Sequence, residues 1–127
     1  MASKLRTLCL TGLVLALAGC ASNEISNLSP KVLRRSPDGL HTIEARWDSN
    51  LRAVRDESMT PYVVIGSEFH PMQRVALTTI RWETLVPVPA GQRFLNYRFK
   101  FDYEMNGFGR RNPDSKLSPT YQLEITD

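Results

Sequence analysis

The chain has 127 residues, 42% of them hydrophobic and 23% charged, with a formal charge of +3. That is the length of one domain, and the composition is too apolar for a disordered acidic or basic tail. Loss of Lys4 and Arg6 with the leader described next lowers the charge to +1, which argues against the strongly basic face of a nucleic-acid binder.

Lys4 and Arg6 form a short positive segment, and Leu8 to Ala18 is uncharged and apolar. Small residues, Ala18 and Gly19, then precede Cys20. This layout predicts a secretory signal over residues 1–19. The apolar run is too short for a spanning helix, which needs about 20 residues. Cys9 is a small hydrophobe inside that run.

The stretch Leu17-Ala18-Gly19-Cys20 resembles the lipobox of bacterial lipoproteins. The resemblance implies cleavage between Gly19 and Cys20, a diacylglyceryl group on the Cys20 thiol and acylation of the new amino group. Two chains give stable anchoring where one is marginal. Ala21 is not aspartate, and by the same resemblance this implies sorting to the outer membrane of a Gram-negative cell. No thiol is then left for a disulfide, a zinc site or a nucleophile.

The mature chain divides into the lipidated cysteine with a flexible tether, residues 20–30, and a domain over residues 31–127. The tether is polar, with isolated Ile25 and Leu28. Lys31, Arg34 and Arg35 follow it and could attract anionic head groups. Val32 and Leu33 suit a short strand. Ser36-Pro37-Asp38-Gly39 is a turn signal. After it, His41, Ile43, Ala45 and Trp47 alternate with polar residues, the pattern of a half-buried strand.

Leu51 to Thr60 fits one helical turn or an irregular loop. Tyr62 to Ile65 reads as a buried strand, and Ser67 to Gln73 as a loop. Val75 to Val86 carries one or two strands, with Ala76, Thr78, Ile80, Trp82, Thr84 and Val86 on one face. Phe94 to Met105 is the clearest element: Leu95, Tyr97, Phe99, Phe101, Tyr103 and Met105 point one way, and charged or polar residues the other. Asn106 to Pro119 reads as a polar loop, and Tyr121, Leu123 and Ile125 mark a closing strand. Strands separated by turns, with no long helix after the leader, predict an all-β antiparallel sandwich or barrel.

Catalytic chemistry has little support. The two histidines are His41, on an apolar strand face, and His70, two residues after Glu68. Nucleophile elbow, phosphate-binding glycine loop and His-Glu-x-x-His spacing are all missing. The expectation is a non-enzymatic protein with no cofactor and no metal. The aromatics of the long strand share parity with Leu95 and Met105, so they read as core and not as a stacking platform. Phe108 stands between Gly107 and Gly109, beside Arg110 and Arg111. An aromatic and two guanidiniums on a loop have the composition of a contact hot spot. Phe108, Arg110 and Arg111 are therefore the candidate partner-binding residues.

Several segments resemble the glycogen-binding modules with immunoglobulin-like folds. They are Val63-Val64-Ile65-Gly66-Ser67-Glu68-Phe69, Pro71-Met72-Gln73-Arg74, Trp82-Glu83 with Val86-Pro87-Val88-Pro89-Ala90-Gly91, and Tyr97-Arg98-Phe99-Lys100-Phe101-Asp102. The resemblance implies an immunoglobulin-like sandwich. That family's exposed, glucan-stacking tryptophan pair has no clear counterpart here.

The sequence thus predicts a membrane-anchored envelope lipoprotein with a binding or structural module. Its partners are the membrane, through the lipid on Cys20, and an envelope protein or a glycan; nucleic acid is not expected. The alternative is a carbohydrate-binding lipoprotein on the same fold. Exposed rings in a row at Trp47 and Trp82 would favour sugar, and buried rings a partner-binding role.

Overall fold

The computed structural model describes residues 22–127. The expected leader, its cleavage point at Gly19 and Cys20, and Ala21 lie outside the described residues. Among those described, no helix is long and apolar enough to cross a membrane.

The described residues form an immunoglobulin-like β-sandwich of ten strands. In chain order they are β1 (Asn23–Asn27), β2 (Val32–Arg34), β3 (Leu40–Ser49), β4 (Thr60–Ile65), β5 (Glu68–Pro71), β6 (Gln73–Arg74), β7 (Arg81–Pro87), β8 (Phe94–Asn106), β9 (Arg111–Leu117) and β10 (Tyr121–Thr126). One sheet has the order β1-β3-β7-β6. The other runs β2-β10-β8-β4-β5, with β9 also paired to β8. Pairing is antiparallel except between β2 and β10.

The core follows the alternation of the long strands. Ile43, Ala45 and Trp47 of β3 and Trp82 and Val86 of β7 meet Leu95, Tyr97, Phe99, Phe101 and Tyr103 of β8. Leu123 and Ile125 of β10, Val63 of β4, Met72 and Val88 join it. Trp47 stacks on Phe101 with centroids 5.1 Å apart and planes 19° from parallel.

Four local expectations need correction. Residues 23–27 of the expected tether form β1, because Ile25 packs on the core and both asparagines find partners across the sandwich. The stretch 67–73 contains β5 and the start of β6, not only loop. The loop expected over 106–119 contains β9, an edge strand held by its backbone along β8. The 75–86 stretch is strand only from Arg81 onward, as part of β7, and Ala76, Thr78 and Ile80 belong to the preceding loop. The ambiguous segment after β3 contains a short 3-10 turn, Asp56–Ser58.

β1 and β2 lie in different sheets, so the chain crosses the sandwich between them. Leu28 N donates to Glu44 O of β3, and Glu124 N of β10 donates to Lys31 O. Pro30 sits between those two bonds, where the chain lacks a donor and leaves one ladder for the other. The chain therefore enters at one end of the sandwich and reaches β2 at the other.

Candidate functional site

The entry end is built by three connections and the start of β1. Asn23 lies opposite Ser49, the last residue of β3. Ser22 N donates to Asn50 Oδ1 at 2.6 Å, and Asn50 N donates back to Ser22 O at 3.2 Å. Asn23 Nδ2 donates to the Tyr103 hydroxyl at 2.9 Å, and the Lys116 ammonium donates to Asn23 O. The last turn of β8 therefore stands beside the first residue of β1. The segment after β3 is tied to the same end: Arg55 N donates to Glu104 O at 2.9 Å and Asn106 N to Ala53 O at 2.7 Å.

Beyond Tyr103, β8 runs to Asn106 and returns as β9, with Asn106 opposite Arg111. Gly107 N donates to Arg110 O at 2.9 Å and closes the hairpin. Gly109 has φ 71°, which its missing Cβ allows. Gly107 does not share that conformation, so one glycine and not both supplies the left-handed turn. Phe108 at the tip is fully exposed and does not fold back on the sheet. Arg110 has no ion-pair partner among the described residues, whereas Arg111 Nη1 lies 3.8 Å from Glu104 Oε2. All three candidate residues thus sit on one hairpin and are available to solvent.

A second exposed apolar residue occurs at this end. The loop between β6 and β7 reaches past Trp47, whose backbone N–H donates to Ile80 O at 2.8 Å. Leu77 in that loop is fully exposed and has φ 63°, alone among the described non-glycine residues in that region. A branched side chain held there carries backbone strain of about 1–2 kcal/mol. The sequence places this leucine inside the 75–86 stretch expected to carry one or two strands and gives it no role.

The opposite end carries a concavity. A cleft of ≈ 870 Å³ lies between the turn at Pro37–Gly39, the turn after β4 at Gly66 and Ser67, and the segment Pro87–Ala90. Its lining is mostly proline, glycine and aliphatic residues, with Asp38, Ser67, Glu68 and Gln92 as the polar members. Hydrogen bonds from the Ser36 hydroxyl and the Leu40 N–H hold the Asp38 carboxyl below its ordinary value. The sequence flagged each turn separately, but nothing in it brings them together.

The remaining candidates resolve into structure. His41 is buried, and its Nε2 accepts from Ser36 N at 3.2 Å, which ties the turn before β3 to the strand itself. Glu68 and His70 come to one side of β5, with Oε2 and Nε2 3.4 Å apart. Lys31, Arg34 and Arg35 lie toward the cleft end, away from the entry at Asn23. Arg35 is held there by Asp127 at 2.8 Å and by Gln92 O at 3.0 Å. Trp47 and Trp82 are both buried, and the Arg74 guanidinium covers the Trp82 ring at 4.6 Å.

Comparison with family models, with curated proteins and with solved structures gives no match for this chain.

Proposed function

We propose that this protein is an envelope lipoprotein, anchored through Cys20, whose sandwich is a non-enzymatic module that binds another envelope protein. The signal-like leader and the four residues of the lipobox support the anchor. The cleft between the turns supports the binding role, because concave, mostly apolar surfaces with a few polar groups at the rim are where ligands and partner segments bind. It lies at the end of the sandwich away from the entry of the chain, so an anchored domain presents it outward.

The burial of both tryptophans carries the choice between partners. Sugar recognition on this type of sandwich relies on exposed rings stacked against pyranose faces. Here one indole stacks inside the core and the other is covered by an arginine. The carbohydrate-binding alternative loses its main support, and a protein partner in the cleft is favoured.

The test is in-cell photocrosslinking from Ala90 at the cleft rim, with Glu83 on the outer face of β7 as the control position. The expected result is one discrete adduct from Ala90 and none from Glu83. A glycan array on the purified protein runs beside it. Glycan binding with no adduct would reverse the choice of partner. A Cys20→Ser variant recovered uncleaved from the cell supports the anchor, and normal processing of that variant would remove it.

A further inference from the structure

We propose that the entry end of the sandwich is a bilayer-contact surface, with Phe108 and Arg110 of the β8–β9 hairpin seated among lipid head groups and Leu77 as a second contact. This rests on the lipoprotein reading of Cys20.

The argument starts from reach. Ser22 is already bonded to Asn50, so only two backbone steps separate Cys20 from the ordered domain. Fully extended, two steps span no more than about 7 Å. The 20–30 tether that would lift the domain clear of the membrane is mostly strand β1 and the crossing to β2. The anchored domain is therefore held against the surface by its entry end.

The hairpin points the same way. Tyr103 is level with Asn23 through their hydrogen bond. From Tyr103 to Asn106, β8 advances about 10 Å, and the turn carrying Phe108 lies further on. The tip thus reaches past Asn23 at least as far as the chain from Asn23 to Cys20. The ring at Phe108 therefore stands far enough out to meet a surface that holds a lipid on Cys20.

The chemistry of the tip suits that surface. Phe108 is a fully exposed aromatic on a closed turn, and Leu77 is a fully exposed aliphatic side chain kept in a strained conformation. Arg110 stands beside Phe108 without an ion-pair partner among the described residues. The carboxylates of Glu57 and Glu104 at this end are each met by an arginine, Arg55 at 2.6 Å and Arg111 at 3.8 Å. Asp56 and Asp114 also lie here, and Asp114 Oδ2 accepts from the Tyr103 hydroxyl at 3.3 Å. An apolar tip flanked by a guanidinium matches an interface where acyl carbon meets phosphate. A second protein would have to reach this surface through the head groups.

The experiment uses the mature, acylated chain in vesicles of phosphatidylethanolamine and phosphatidylglycerol. Its only thiols are those introduced one at a time: Phe108→Cys, Leu77→Cys and, at the cleft end, Ala90→Cys. Each carries a nitroxide whose relaxation is read with dissolved oxygen, which concentrates in the bilayer, and with a water-soluble nickel chelate. The expected result is nickel relaxation at 108 at least about fivefold weaker than at 90, with oxygen relaxation stronger, and an intermediate value at 77. Equal nickel access at 108 and 90 on acylated protein overturns the bilayer contact and leaves the lipoprotein reading intact. A mass spectrum of the N-terminal peptide without acyl groups overturns both. Protection at 108 that persists in detergent micelles but is lost when a co-purifying protein is removed assigns the hairpin to that protein and overturns the proposal.

Discussion

Asn27 on the first strand donates a 2.9 Å hydrogen bond to the Tyr97 hydroxyl on β8, in the opposite sheet. Asn23, four residues earlier, makes the matching bond to Tyr103. The two asparagines straddle Ile25 and turn a polar strand into one that closes the sandwich edge. Removing one partner leaves a largely buried phenol with an unmet group, which costs about 1–3 kcal/mol. Asn27→Ala is expected to lower unfolding free energy by that amount in urea titration. Asn27→Ala in a Tyr97→Phe background should cost clearly less, because the unmet hydroxyl is gone.

The same hydroxyls set the alkaline limit. Burial pushes the Tyr97 phenol up from its ordinary value, and burial with the nearby Asp114 charge does the same for Tyr103. The folded state thus holds these protons more tightly than the unfolded chain. Their contribution is complete below the ordinary phenol range near 10 and is lost as pH rises through the raised folded values. Stability is expected to fall from about pH 10 upward. Tyr97→Phe should make that fall shallower while lowering stability at neutral pH.

A third relationship joins β9 to β10. Phe99 N donates to Ser118 Oγ at 2.8 Å, and Ser118 N donates to Phe99 O at 2.9 Å. One serine bridges the point where β8 exchanges one neighbour for the other. Ser118→Ala leaves the Phe99 N–H without its acceptor in a buried position. The expected cost is about 1–3 kcal/mol, with faster hydrogen exchange at the Phe99 amide.

The long strands were legible because one face of each is buried. Residues 40–49 and 94–105 alternate cleanly, and their inward residues are the core. β9 gave no such signal, since six of its seven residues are exposed and backbone pairing along β8, not an apolar face, holds it. β1 was hidden for a different reason: Asn23 and Asn27 point inward as hydrogen-bond donors, which period-two hydrophobicity does not register. Phe108, Arg110 and Arg111 were legible as a group from composition. Their place beside the entry of the chain was not, because it depends on the register of β1 against β3 and on one hydrogen bond to Tyr103.

Core and surface positions on β8 should separate sharply. Phe101 is fully buried and stacked on Trp47. Phe101→Ala is expected to cost about 3–5 kcal/mol, a large part of a typical total of about 5–15. Arg98 on the outer face is exposed, and Arg98→Ala should stay within about ±0.5 kcal/mol. Lys100 is a poorer control than its parity implies, because it pairs with Asp102 at 2.9 Å and lies over the Phe69 ring at 5.7 Å. Similar small losses for Phe101→Ala and Arg98→Ala in chemical denaturation would reverse the assigned faces.

The hairpin residues should behave unlike any of these. Phe108 touches no core residue, Arg110 has no ion-pair partner among the described residues, and the Arg111–Glu104 pair is long and solvent-exposed. Exposed ion pairs contribute between nothing and about 1 kcal/mol. The combined change of Phe108, Arg110 and Arg111 to alanine is therefore expected to leave the melting temperature within about 2–4 °C of the parent. Gly109→Ala is the opposite kind of change at the same hairpin. Its Cβ meets nothing within 4 Å, yet φ at 71° makes an alanine there cost about 1–2 kcal/mol. Thermal melts of the two variants side by side decide the matter. A triple variant that melts lower than Gly109→Ala would mean that the hairpin residues serve the fold, and the exposed tip would lose its claim to a contact role.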